Sequence, residues 1–312
     1  MNAVSSSAGV VVLGFPRSGT TLLRRLLESH PDMCCPPETH LLRSAAAFLQ
    51  QDDSPLGYSA DVLTSLRFSG LDPETVVDRL RDMVFGIYAD ICNNQNKRVW
   101  VEKSALDIFH VDAIERLLGD RCRFIWLTRH AIDVLCSVKE YVSSVEIYYP
   151  ELFDYVRRYP VPMEAFAHAW IDTQARMSQF IAEHPDTCLQ LRYEDLVTDP
   201  ADNLQRILDF LGMEGDPVAL VDELGKSAGM IGYGDWKAYE RDGVSTESVG
   251  RHHELPPRLL GRLAALVNPT MLRLGYQEVS VPRGMQNVDP VRELQLRLMT
   301  ANMRRDSEKA PE

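Results

Sequence analysis

The chain has 312 residues, 45% of them hydrophobic, with 33 Lys and Arg against 45 Asp and Glu and a formal net charge of −12. That length and apolar content suffice for one large α/β domain. No basic stretch offsets the charge, which excludes nucleic acid as an expected partner and disfavours a polyanionic polysaccharide; an anionic ligand must be met by a local pocket of positive charge.

Val10 to Leu13 is a short β-branched run that reads as a buried parallel strand. It enters "GFPRSGTTLLRRLLESHP", residues Gly14 to Pro31. Pro16, Ser18 and Gly19 stop the strand. From Thr20 onward Leu22, Leu23, Leu26 and Leu27 recur at helical spacing, and Pro31 closes the pattern. A strand, a glycine loop and a helix start form an anion site, because the helix offers free N–H groups and the positive end of its dipole. The glycine spacing is that of a phosphate loop, but Thr20 stands at the lysine position. Arg17, with Ser18, Thr20 and Thr21, replaces that lysine and suits a ligand held without metal.

Further along, "CCPPETHLL" (Cys34 to Leu42) sets Glu38 and His40 after a stiff Pro36-Pro37 pair, with a helix expected from Thr39 onward. "RVWVEKSALDIF" gives a strand over Arg98 to Val101 with Lys103 at its exit. "FIWLTRHAIDVLCSVKEY" (Phe124 to Tyr141) is a strand, then Arg129, then a helix carrying Ser137 eight positions on. Arg129 lies where open α/β sheets bind ligands, and meets Ser137 only if the first helical turn bends back. "CLQLRYEDLVTDPADNLQRILDFLG" (Cys188 to Gly212) adds a strand and an amphipathic helix between Pro200 and Gly212, with Tyr193 at the strand exit and Glu194 and Asp195 as braces for the helix or loop.

Strands at 10–13, 98–101, 123–127 and 188–191 alternating with helices predict an α/β fold: a P-loop-type parallel sheet with helices on both faces. The domain is expected over residues 1–282. A tail over 283–312 holds a polar helix candidate, Pro290 to Met303. No apolar run is long enough for a membrane span, and no basic residue precedes the Val10 run as in a leader. The six Cys (34, 35, 92, 122, 136 and 188) form no C-x-x-C pair and read as reduced thiols in a cytoplasmic protein.

"FPRSGTTLL" resembles the 5′-phosphosulfate loop of sulfotransferases that use 3′-phosphoadenosine 5′-phosphosulfate (PAPS), and Arg129 with Ser137 resembles that family's 3′-phosphate motif. "GYGDWK" (Gly232 to Lys237) is similar to the late loop that closes over the nucleotide. The resemblance runs from about residue 10 to residue 276. It implies a PAPS-dependent sulfotransferase acting without metal on a hydroxyl acceptor. Arg17, Ser18, Gly19, Thr20 and Thr21 would hold the 5′-phosphosulfate, Arg129 and Ser137 the 3′-phosphate, and Tyr193 and Lys237 further parts of the nucleotide. Lys103 would stabilise the leaving oxygen. Many cytosolic relatives carry Lys-x-His at this strand exit; here Lys103-Ser104-Ala105 has no histidine. The Arg17-to-Glu38 spacing is that of tyrosylprotein sulfotransferases, in which the glutamate is the base. Glu38 is therefore the expected base and His40 its rival, while the bland alternative makes Glu38 a helix-start acid. His252 and His253 are expected on a surface or loop. The acceptor stays open among alcohol, phenol, carbohydrate and carrier-bound β-hydroxyacyl chain. Aromatics over 41–72 and 141–162 favour an apolar or partly apolar one. A P-loop kinase or nucleotide hydrolase needs a loop lysine and a metal-binding acid that the chain lacks; a non-catalytic nucleotide-binding scaffold needs neither Glu38 nor Lys103.

Overall fold

A computed structural model describes residues 9–50, 61–145, 149–224 and 243–280. Its centre is a parallel sheet of five strands: β1 (Gly9–Leu13), β2 (Met33–Cys34), β3 (Val99–Glu102), β4 (Cys122–Thr128) and β5 (Cys188–Arg192). The order across the sheet is β2-β3-β1-β4-β5. Register pairs Val11 with Glu102 on one side of β1 and with Phe124 on the other. The four expected strands are present to within a residue. The fifth, β2, pairs only Met33 and Cys34 with β3, and two residues carry no readable period.

The helices are α1 (Thr20–Glu28), α2 (Leu41–Leu49), α3 (Val62–Phe68), α4 (Pro73–Asn94), α5 (Val111–Leu118), α6 (Ala131–Val145), α7 (Phe153–Arg158), α8 (Pro162–Glu183), α9 (Tyr193–Thr198), α10 (Pro200–Leu211), α11 (Pro217–Leu224) and α12 (Pro257–Arg273). The helices of residues 20–224 flank both faces of the sheet, as buried parallel strands require. Alternation sorts the strand residues. Val10, Val12, Val99, Val101, Ile125, Leu127 and Leu191 share one core with Leu23, Leu26 and Leu27 of α1 and Leu204, Ile207 and Leu208 of α10. The other face packs aromatic: Trp100 stacks on Tyr88 of α4 with centroids 4.3 Å apart, and Phe124 meets Phe180 of α8 edge-on at 5.0 Å. The same alternation sends Glu102 to the α4 face and Lys103, one residue on, to the α1 face.

By contacts the chain groups into two compact units, residues 1–251 and residues 252 onward. In the second, α12 buries Leu260, Leu263, Ala264, Val267 and Met271 at helical spacing. The loop at 232–237 with Lys237, and the helix expected at 290–303, lie outside the described residues. No described helix is long and apolar enough to cross a membrane. All six cysteines are buried free thiols, with Cys35 pushed far above its ordinary pKa by burial and Cys92, Cys122 and Cys188 pushed up to about 12.

Candidate active site

The loop after β1 turns sharply: the Ser18 amide donates to the Phe15 carbonyl at 3.0 Å. Arg17 then takes φ +73° and Gly19 φ +92°, both left-handed. A non-glycine residue there is uncommon and strained, and it recurs at functional loops. Gly19 has two reasons to be glycine. Its φ is one, and a Cβ there would lie 2.3 Å from Cδ2 of Tyr193. Gly19 caps α1 with no side-chain bond of its own, so the helix start opens toward the loop. Ser18, Thr20 and Thr21 line it and are each at least 95% buried.

Arg129 leaves β4 just before α6 begins and is 5% exposed. Its Nη1 donates to the Arg17 carbonyl at 2.8 Å and its Nη2 to the Ser248 carbonyl at 2.5 Å. Its guanidinium lies 4.3 Å from the Tyr193 ring centroid. The Arg129 Nε has no hydrogen-bond partner among the described residues. Ser137, two turns into α6, accepts from Arg17 Nε at 3.1 Å, and the Arg17 guanidinium also sits over Tyr141, 5.3 Å from its centroid. The expected pair Arg129 and Ser137 thus converge on Arg17. The helix need not bend back, because Arg129 stands outside it and Arg17 bridges the gap. The loop, Arg129 and Ser137 form one continuous wall that carries two cations.

Two carboxylates brace this wall. Glu194 accepts from the His130 amide at 2.9 Å, which braces the chain between Arg129 and α6. Asp133 accepts from the amides of Gly250 and Arg251 at 2.9 and 2.7 Å, which ties the 248–251 segment to α6.

Lys103 leaves β3 and is 99% buried; its Nζ donates to Thr21 Oγ1 at 3.2 Å and forms an ion pair with Glu38. Burial lowers the Lys103 pKa, and Glu38 opposes the shift. Thr39 and His40 hold Glu38 in place. Thr39 donates to Glu102 from both N (3.3 Å) and Oγ1 (2.8 Å), and His40 Nδ1 lies 3.4 Å from Ser104 Oγ. The helix expected from Thr39 begins instead at Leu41, whose amide is received by Thr39 Oγ1; His40 precedes it at φ +54°. Glu38 therefore faces Lys103 and does not act as a helix-start acid. Arg24, fully buried in α1, anchors the approach by donating to the Cys35 carbonyl at 2.5 Å.

Glu102, Tyr88 and Asp107 join the site only in the folded chain. Glu102 is fully buried, and burial lifts its pKa to about 7 against the hydrogen bonds from Thr39 and from Tyr88 Oη at 2.9 Å. Asp107 is equally buried; its carboxylate oxygens have no hydrogen-bond partner among the described residues, and its carboxyl is held well above the carboxylate range by burial and by Glu102. The signal was present: a charged residue, Glu102, inside an otherwise apolar strand. His252 and His253 are exposed. Among the described residues no group of three or more His, Cys, Asp or Glu is arranged to hold a metal ion.

A family model described as "Sulfotransferase family" matches residues 9–217, which includes every element named above up to the start of α11. The chain belongs to the sulfotransferase family. It is similar to the nodulation protein NoeE of Sinorhizobium fredii, 29% identical over 287 residues covering 86% of this chain and 65% of NoeE. It is also similar to protein-tyrosine sulfotransferase 1 of Danio rerio, 25% identical over 294 residues covering 90% of this chain and 76% of that one. The chain thus spans just under two thirds of NoeE's length. Among solved structures, the sulfotransferase domain from the curacin biosynthetic pathway aligns at TM-score 0.57 and 22% identity, covering 86% of this chain and 98% of that domain. The sulfotransferase domain of the Synechococcus PCC 7002 olefin synthase aligns at TM-score 0.53 and 24% identity, covering 80% and 88%. These two likenesses show a shared fold.

Proposed function

We propose that this sulfotransferase-family protein moves a sulfuryl group from PAPS to a hydroxyl acceptor, with Glu38 as base. The observation that carries the reading is the arrangement around Arg17. A phosphate loop, a second arginine and a serine form one cationic wall, and the Lys103–Glu38 pair reaches the helix start of the same loop through Thr21. The residues fit the nucleotide. The buried Nε of Arg129, without a hydrogen-bond partner among the described residues, is a donor that a phosphate oxygen would satisfy through a charge-assisted bond. Arg17, Ser18, Gly19, Thr20 and Thr21 would hold the 5′-phosphosulfate; Arg129 and Ser137 would hold the 3′-phosphate. Tyr193 backs both Gly19 and Arg129.

Bound there, PAPS supplies the sulfuryl group: the acceptor O–S bond forms and the S–O bond to the 5′-phosphate breaks. Glu38 takes the hydroxyl proton. Lys103 meets the negative charge that develops on the departing oxygen, a pre-organised cation in a dry site, where such charges act most strongly. Glu38 and Lys103 form an ion pair, so the base and the cation for the leaving oxygen are set at a fixed separation.

The relatives named protein-tyrosine sulfotransferases support a hydroxyl on an aromatic ring as one acceptor class. The stacked Tyr141 and Tyr149, 5.2 Å apart beside Arg17, also suit an apolar or partly apolar acceptor. The test is calorimetric titration with adenosine 3′,5′-bisphosphate in metal chelator, against ATP with Mg²⁺. Tight bisphosphate binding without metal is the expected result. Binding that needs Mg²⁺, or that prefers ATP, would sink the proposal in favour of a kinase or nucleotide hydrolase.

A further inference from the structure

Residues 38–40 lie along the exit of β3 as a ladder of three rungs. Glu38 pairs with Lys103, Thr39 with Glu102, and His40 with Ser104. The middle rung is doubled. One carboxylate oxygen of Glu102 takes the Thr39 amide, and the other takes the Thr39 hydroxyl and the Tyr88 hydroxyl. The bidentate grip on Thr39 fixes the peptide plane between Glu38 and Thr39. Glu102 bonds toward Tyr88 of α4 and Lys103 toward Thr21 of α1, since successive residues at the end of an extended strand face opposite ways. The strip therefore straddles the strand end and cannot slide along it without breaking bonds on both faces.

We propose that Glu102 is a positioning residue for the reaction: through Thr39 it sets the carboxylate of Glu38 against Lys103 and the reacting oxygen. The inference rests on the reading of Glu38 as base. A merely structural acid would not need to grip Thr39 twice, nor to be buried in a core that an apolar residue would fill at less cost. Tyr88 from α4, Lys103 just past β3 and Asp107 from the turn Asp107–His110 are the titratable groups around Glu102, and Glu38 and Arg43 act in turn on Asp107. Its raised pKa, about 7, means that the clamp loses its negative charge below neutral pH.

The experiment compares Glu102→Gln, Thr39→Val and Thr39→Ser with the wild type, using ³⁵S-labelled PAPS and the phenol or alcohol that turns over fastest in an acceptor panel. Thr39→Val keeps the shape and removes the hydroxyl; Thr39→Ser keeps the hydroxyl. Glu102→Gln and Thr39→Val should lower kcat by about 10²-fold, the usual result of a small misplacement, with the PAPS KM changed less than about threefold. Thr39→Ser should recover most of the rate. The limb of the kcat–pH profile near pH 7 should vanish in Glu102→Gln. Hydrogen–deuterium exchange of the peptide over 36–42 needs no acceptor, and it should accelerate in Glu102→Gln. Wild-type kcat and unchanged exchange in Glu102→Gln and Thr39→Val overturn the proposal. If Glu38→Gln itself keeps full turnover, the base assignment fails instead, and the exchange result alone decides whether Glu102 clamps the strip.

Discussion

Replacing Arg129 with alanine separates the two ends of the nucleotide. The side chain spends two donors inside the protein, on the carbonyls of Arg17 and Ser248, and keeps Nε in reserve. One charge-assisted hydrogen bond to a phosphate contributes about 1.5–3 kcal/mol, so Arg129→Ala should weaken adenosine 3′,5′-bisphosphate by roughly 10- to 150-fold. Adenosine 5′-monophosphate lacks the 3′-phosphate and should lose much less. What it does lose comes from the Arg17 carbonyl, which gives up its Arg129 donor. Ser137→Ala should show the same selectivity with a smaller loss, since Arg17 keeps its cation–π contact with Tyr141. Calorimetry with both nucleotides gives the comparison, and a melting curve of each variant checks that the fold survives. Equal losses for the two nucleotides would refute the assignment of Arg129 to the 3′-phosphate.

Gly19→Ala places a Cβ 2.3 Å from the Tyr193 ring at φ +92°. The left-handed backbone alone costs an L-residue about 1–2 kcal/mol, so the melting temperature should fall and bisphosphate binding with it; an unchanged melting curve would contradict the loop geometry. Glu102 titrates at about 7 in the folded chain against 4.5 for the free group, so the folded state binds the extra proton between those values. Stability from this group is therefore greatest at low pH and falls on the order of 3 kcal/mol as pH rises from about 4.5 to 7. Chemical denaturation at pH 5 and pH 7.5 should show that slope lessened in Glu102→Gln, and an identical slope in the two proteins would count against it. His40 occupies φ +54°, which asparagine tolerates, so His40→Asn keeps the backbone. It should slow turnover far less than the roughly 10²–10⁴-fold expected for loss of a general base, and a loss of that size would make His40 the base.

The parallel sheet was legible because its long strands are apolar runs bounded by turn residues, and the loop because glycine spacing and hydroxyls mark a helix start. Arg17, Lys103, Arg129 and Ser137 were legible as residues but not as a network. Nothing in the spacing of Arg129 and Ser137 says that Arg17, more than a hundred positions earlier, joins them. Two-residue β2 was invisible for want of a period. Glu102 stood in plain view beside Lys103, but one acid in an apolar strand reveals its partner only when Thr39 and Tyr88 are folded onto it. Asp133 likewise reads as an ordinary first-turn acid of α6 until the amides of Gly250 and Arg251 arrive from a distant segment. Each of these partners is set by tertiary packing, which local pattern does not encode.

The most direct measurement is transfer of ³⁵S from labelled PAPS to a panel of phenols, alcohols and 3-hydroxyacyl thioesters, run in chelator with wild type and Glu38→Gln side by side. The wild type should form a labelled sulfate ester with at least one acceptor. In Glu38→Gln that product should form about 10²–10⁴-fold more slowly, while bisphosphate affinity stays near the wild-type value, because Glu38 pairs with Lys103 and not with the phosphate wall. Tight bisphosphate binding with no labelled ester from any acceptor would leave a nucleotide-binding scaffold. Full transfer by Glu38→Gln would take the base away from Glu38.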